Sequence, residues 1–251
     1  MNKSSVARQQ GDHGSVLVFL HYFGGAADSW QWVVSDLASD YTCFVLNLPG
    51  FGSTPPLSAL SIASYTQWIT KTLESLGLSA CTLVGHSMSG KLALSVAATN
   101  PDHINHVVLV APSPPTQEPM EEAERQRMLN HPNLSEAIKT VKGATRAVLT
   151  EEQRSLAIAT QLAVDHPTWR WWLTDGMNYS IADQVARIKT PVHLLASKDD
   201  PVIPFRPLCA ELKKLIPHIQ INAIKNIGHL LPLEEPKWLA SQIKNIVRQK
   251  I

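Results

Sequence analysis

The chain has 251 residues, 44% of them hydrophobic, which suffices for one large domain with a sizeable core. A formal net charge of +1 excludes the basic footprint of a nucleic-acid binder or of a protein drawn to anionic membranes. Its three cysteines, Cys43, Cys81 and Cys209, are an odd number and suit buried free thiols in a reducing compartment rather than a disulfide framework.

The start, MNKSSVARQQGDHG, has no apolar h-region, and no apolar run approaches membrane-spanning length. The expectation is a soluble, cytoplasmic protein. Short runs rich in β-branched residues then follow: Ser15–His21, Thr42–Asn47, Ala80–Gly85, Asn105–Val110, Pro191–Ala196 and His218–Ala223. Runs that are apolar at nearly every position suit strands covered on both faces, as in a parallel sheet. Between them, Ile62, Tyr65, Ile69, Leu73 and Leu76 repeat at helical spacing, as do Leu239, Ile243 and Ile246. Strand and helix in alternation predict a doubly wound α/β fold.

The alternation stops between Ala111 and Ile188. APSPPTQEP opens a helical, strand-poor stretch that runs through WRWWL, and strands resume at TPVHLLAS. This divides the chain into a first core part (1–111), a helical lid (112–187) and a second core part (188–251).

The stretch TLVGHSMSG, Thr82 to Gly90, is an apolar strand that breaks into a turn at Ser87, with the apolar helix residues Leu92, Leu94, Val96 and Ala97 beyond it. A serine hydroxyl is a poor nucleophile without a base and an oxyanion site, and a strand–turn–helix elbow supplies the positioning. The elbow needs small residues two before and two after its serine. Gly85 fills the first place; Ser89 fills the second, where the pattern has glycine. The plain alternative is that Ser87 only caps a helix. Three further stretches weigh against that: the turn His21-Tyr22-Phe23-Gly24-Gly25 after the first strand, Lys198-Asp199-Asp200-Pro201 after PVHLLAS, and Gly228-His229 before the last helix. Serine, acid, histidine is one of the orders in which this triad recurs.

Together these motifs, with LNLPGFGS, DPVIP and GHLLPLEEP, resemble the α/β-hydrolase superfamily, specifically its lidded esterase-like branch. The resemblance implies Ser87 as nucleophile, His229 as general base, Asp200 (in preference to Asp199) as its orienter, and the N–H groups of Phe23 and Met88 as the oxyanion hole. It also implies a mostly parallel sheet of about six strands with helices on both faces, since only 14 residues precede Ser15, and the family's usual strand pair before His21 is expected to be missing. Tyr22 departs from the family's glycine and is expected at an apolar pocket with Phe23, Met88, Trp171 and Trp172, at least one of the two tryptophans looking down onto it; Trp169 reads as packing.

Ten histidines invite metal hypotheses, but His103 and His106 lead into a strand, no anchored ligand pattern occurs, and both read as surface residues. His21 reads as a structural partner of the oxyanion turn, Gly50 and Gly52 as a tight turn, and the Glu118–Arg127 charge run as the solvated face of a lid helix. No metal or organic cofactor is expected, nor a nucleic-acid or membrane partner. The sequence leaves the oligomeric state open. The reaction expected is hydrolysis of a small, uncharged, apolar carboxylic ester through an acyl-enzyme. The same triad serves cofactor-free haloperoxidases (perhydrolases), lactonases, thioesterases and C–C hydrolases. Other proteins of this fold act as small-molecule sensors that signal through a partner protein.

Overall fold

The structure, a computed structural model, describes residues 6–78, 80–99 and 101–248. Seven strands form one sheet: β1 (Val6–Gln10), β2 (Val16–Leu20), β3 (Thr42–Leu46), β4 (Cys81–His86), β5 (Ile104–Val110), β6 (Val192–Ser197) and β7 (Gln220–Ile224), in the spatial order β1-β3-β2-β4-β5-β6-β7. All neighbours are parallel except β1, which runs antiparallel to β3. The sheet therefore holds one strand more than expected. The segment VARQQ lacks the apolar alternation that marks a strand, but backbone pairing at an edge asks little of its side chains. The expectation that no strand precedes Ser15 is thus corrected for residues 6–10, and what it says of residues 1–5 lies outside the described residues.

The first helices are α1 (Gln31–Leu37), α2 (Ile62–Ser75) and α3 (Met88–Thr99). Five more, α4 (Glu122–Met128), α5 (Leu134–Ala144), α6 (Glu151–Leu162), α7 (His166–Trp171) and α8 (Ala182–Val185), separate β5 from β6. Last come α9 (Phe205–Leu215), α10 (Leu231–Glu234) and α11 (Pro236–Val247). Alternate residues of each central strand enter different cores. Val18, Leu20, Leu83, Leu109 and Leu194 pack with α2, α3 and α9 on one face. Leu17, Phe19, Val84, Val108 and Leu195 pack with α1 and α11 on the other. Burial on both faces is why these runs read as continuously apolar. No helix among the described residues is long and apolar enough to cross a membrane.

The chain order reverses between β2 and β4, and this places the functional groups. Strand β3 lies to one side of β2 and β4 to the other, with Leu20 paired to Gly85 at their C-terminal ends. The turns that leave β2 and β4 therefore open into one crevice, where α/β sheets bind their ligands.

His106 corrects a sequence expectation. His103 does stand half-buried at the entrance to β5, its Nδ1–H donating to the Leu78 carbonyl at 3.1 Å. His106 is instead buried, its Nδ1 at 3.3 Å from Nε2 of His193 on β6. The parallel register pairs Val108 with His193, which puts the two imidazoles on one face. Burial lowers the pKa of both, that of His193 to about 4, so the pair is held neutral. All three cysteines are free.

Candidate active site

Every residue of β4 is buried, and the strand runs straight into Ser87 at φ 54°, a left-handed conformation that costs a β-carbon-bearing residue energy. Backbone hydrogen bonds hold it there. The Ser87 N–H donates to the Val110 carbonyl at 2.9 Å, and the Ser87 carbonyl accepts from Gly90 at 2.8 Å and Ser113 at 2.9 Å. A Cβ on Gly85 would stand 2.3 Å from the Ser89 carbonyl oxygen, and one on Gly90 would stand 2.4 Å from the Pro112 ring. Glycine is therefore required at 85 and 90. Ser89 has room for its hydroxyl, which donates to the His21 carbonyl and ties helix α3 to the turn after β2.

The structure brings Ser87, His229 and Asp200 together. The Ser87 hydroxyl donates to His229 Nε2 at 2.8 Å, and His229 Nδ1–H donates to Asp200 Oδ2 at 2.8 Å. The other carboxylate oxygen of Asp200 accepts the N–H groups of Val202 (2.8 Å) and Ile203 (3.0 Å). Asp199 points elsewhere and receives the Asn226 N–H at 2.7 Å. Burial by itself would lower the His229 pKa. The facing Asp200 carboxylate, through charge and hydrogen bond, and then Glu118 and Glu234 more than offset it, leaving the pKa raised above 6.5. Burial opposes ionisation of Asp200, and the His229 charge and three hydrogen bonds outweigh it, leaving its pKa lowered.

Two residues that the sequence reading passed over hold the histidine loop. His86 is fully buried, and desolvation drops its pKa to about 3, so it is neutral and its Nε2–H donates to the His229 carbonyl at 2.8 Å. Glu234 accepts four backbone N–H groups: Gly228, Arg146 and Ala147 on Oε2 at 2.8 Å each, and Leu230 on Oε1 at 3.0 Å. It thereby joins the histidine loop to the chain that follows α5. The His229 N–H completes this seam by donating to the Ala144 carbonyl at 2.7 Å. Both residues sat inside quoted motifs, GHSMSG and GHLLPLEEP, and position within the motif was the available signal.

The turn after β2 is closed by Gly25 N–H donating to the Tyr22 carbonyl at 2.9 Å. His21 braces it as expected. Its Nδ1–H donates to the Tyr22 carbonyl at 2.9 Å, and its Nε2 accepts the Leu48 N–H at 3.1 Å. Phe23 stacks on Trp169 at 4.2 Å, while Met88 opens α3, where the first N–H groups have no partner within the helix. Gly50 (φ 83°) and Gly52 (φ 56°) do form a tight turn, in which the Gly50 carbonyl accepts the lid's Asp165 N–H at 2.8 Å.

A cavity of about 370 Å³ opens over Ser87 and His229, with walls that include Tyr22, Phe23, Met128, Trp172 and Leu230. Tyr22 is a neutral phenol there, its pKa pushed up to about 12 by burial. Three expectations are corrected. Trp171 does not face the cavity: its ring stacks on Tyr65 at 5.2 Å, because consecutive helical residues cannot share a direction. The Met88 side chain packs into the core with α2 and α3 rather than lining the cavity. The Glu118–Arg127 run is not one solvated face. Glu118 precedes the helix, is 6% exposed and lines the cavity; α4 begins at Glu122.

Lys91, on α3, is fully buried although charge and length suggested nothing of the kind. Its ammonium donates to the carbonyls of Thr116 (2.8 Å), Met177 (3.0 Å) and Tyr179 (3.1 Å) and pins the entry and exit of the helical insertion to the core. Desolvation lowers its pKa to about 8, with Glu118 and Glu211 pulling the other way.

Comparison with known proteins gives a family match and several likenesses. The model of the alpha/beta hydrolase fold family matches residues 15–169. The chain is 34% identical over 105 residues to the dihydrolipoyllysine-residue acetyltransferase component of an acetoin cleaving system from Cupriavidus necator, covering 41% of this chain and only 28% of that protein. It is 26% identical over 260 residues to the 2-succinyl-6-hydroxy-2,4-cyclohexadiene-1-carboxylate synthase of Escherichia coli K12, across 97% of this chain and 99% of that one. An esterase from Exiguobacterium antarcticum superposes with a TM-score of 0.89 at 15% identity, over 96% of this chain and 94% of that one, a likeness of fold.

Proposed function

We propose, from the premise that the chain belongs to the alpha/beta hydrolase family, that it is a serine esterase cleaving small carboxylic esters through an acyl-enzyme. The observation that carries this reading is the unbroken hydrogen-bonded line from Ser87 through His229 to Asp200, with Ser87 and His229 lining the cavity. Ser87 Oγ attacks the ester carbonyl as its proton passes to His229 Nε2, and Asp200 holds the imidazole in the tautomer that can accept it. The N–H groups of Phe23 and Met88 receive the oxyanion. As the tetrahedral adduct collapses, the imidazolium protonates the departing alcohol. Water then gives its proton to His229, attacks the acyl group and frees the acid and Ser87.

The cavity volume lies at the lower end of the range for small-molecule sites, which favours a compact substrate. Its apolar side chains accept the substrate's hydrocarbon parts, and no sensor role is needed to explain the insertion, which supplies Met128, Val141, Ala144 and Trp172 among them. The test is covalent labelling with a fluorophosphonate alongside turnover of p-nitrophenyl esters of increasing acyl length. Labelling should occur at Ser87 alone, and Ser87→Ala should abolish it and cut turnover by about 10⁴ or more. Labelling that moves to Ser89 or survives the substitution would sink the assignment. One burst of product per chain followed by silence would favour the sensor.

A further inference from the structure

The cavity wall contains a carboxylate that the ester mechanism does not use. Glu118 is 6% exposed, lines the same cavity as Ser87 and His229, and its Oε2 has no hydrogen-bond partner among the described residues. The buried Ser113 hydroxyl, which has no other partner among the described residues, lies beside the carboxylate and can meet at most one of its acceptor positions; Oε2 itself receives no hydrogen bond. The nearest buried cation is not free to serve it, because Lys91 directs its ammonium at three backbone carbonyls. A buried acceptor with no donor is costly, and more so when it is charged, so its position facing a cavity points to a donor that arrives from outside.

The charge around the cavity decides which donor. Glu118, Glu121 and Glu124 lie on this wall, as do Arg127 and Lys139. Both basic side chains are already engaged: Arg127 by Glu124 and Glu136, and Lys139 by Glu136 at 2.9 Å. Little positive charge is left to face the ligand. Desolvation raises the Glu118 pKa, and a cation beside it would restore the ionised form.

We propose that Glu118 is a second recognition group, and that the ester this cavity fits carries a protonated amine on the arm reaching residue 118. This rests on the esterase reading and amends one part of the sequence expectation: the substrate is apolar along most of its length but not uncharged. The triad reads the carbonyl; Glu118 reads the arm that reaches it. An ammonium there gains a charge-assisted hydrogen bond in a site of low dielectric, and a hydrocarbon end leaves the carboxylate unpaired.

The test compares esters with a dimethylammonium end against isosteres in which an isopropyl end replaces it, with the group placed on the acyl side in one pair and on the alcohol side in the other. The wild-type enzyme should prefer the ammonium ester of at least one pair by about tenfold or more in kcat/KM. Glu118→Gln should bring that ratio to about one, and Glu118→Asp should keep part of it. The ratio is internal to each variant, so a general loss of activity does not mimic the result, and Glu118→Ala repeats it should the glutamine variant fail to fold. A wild-type ratio of one or below in both pairs, or a preference that survives Glu118→Gln, overturns the proposal. If no ester is cleaved, the esterase reading fails separately, and calorimetric binding of the same compounds to Ser87→Ala decides. Tighter binding of the ammonium member, lost on adding Glu118→Gln, sustains Glu118 as the recognition group; equal affinity overturns it.

Discussion

The sheet edge and the helical insertion build two halves of one cavity by different means. On the sheet side every proposed reacting group is tied to backbone: Ser87 to Val110 and Ser113, Asp200 to two N–H groups, and His229 to Asp200 with its loop on Glu234 and His86. The insertion has no ladder to hold it. It hangs on side-chain anchors, chiefly Lys91 and Glu234, on isolated backbone bonds such as those of Asp165 to Gly50 and His229 to Ala144, and on apolar contact through Trp169 and Trp172. One half positions the proposed reacting groups; the other supplies shape and charge, and it touches the first at the His229 loop and through the Glu118 charge.

The sharpest way to break this contrast is on the sheet side. Asp200→Asn should lower kcat by about 10³–10⁴, because the amide favours the wrong imidazole tautomer, while Asp199→Asn should cost less than about tenfold. Steady-state kinetics on one ester checks both, and the reverse ranking would assign the orienting role to the neighbour. Melting temperature should hardly follow kcat in this pair.

On the insertion side the ranking should invert. Lys91→Met leaves three lid carbonyls without their donor and should cost about 3 kcal/mol in denaturant unfolding. Hydrogen exchange should quicken around residues 116–120 and 177–181 before it does in β4. Uniform loosening of the whole chain would show that the two halves are not separable.

A smaller effect links the halves through charge. With its pKa raised, His229 becomes protonated on the way down from neutral pH, and the imidazolium cannot take the Ser87 proton, so kcat/KM should fall on the acid side with a midpoint above 6.5. Glu118 helps to raise that pKa, so Glu118→Gln should move the acid limb to lower pH. An unmoved limb would mean that the lid carboxylate is not felt at the triad. The least effect is expected from Ser89→Gly, which restores the common elbow residue but loses the bond to His21: about 1 kcal/mol of stability and a few-fold in kcat.

Much of the sheet side was legible because its signals are local. Buried strands announce themselves as unbroken apolar runs. The elbow shows because Gly85 and Gly90 are forced by contacts with residues four to five places along and with Pro112 just beyond β5. The edge strand β1 escaped notice because its pairing is made by backbone, to which side-chain patterning is blind.

What the sequence determined by itself, then, is the fold class, since the apolar runs and helix-period segments that spell it are each local in the chain. Only the tertiary structure decided that Trp172 and not Trp171 lines the cavity, that Lys91 is a buried anchor, that His106 faces His193, and that Glu118 belongs to the cavity rather than to solvent. In sequence a charged side chain looks the same on a surface as beside a ligand. Its burial depends on elements dozens of residues away, and no local pattern carries the direction in which they will pack.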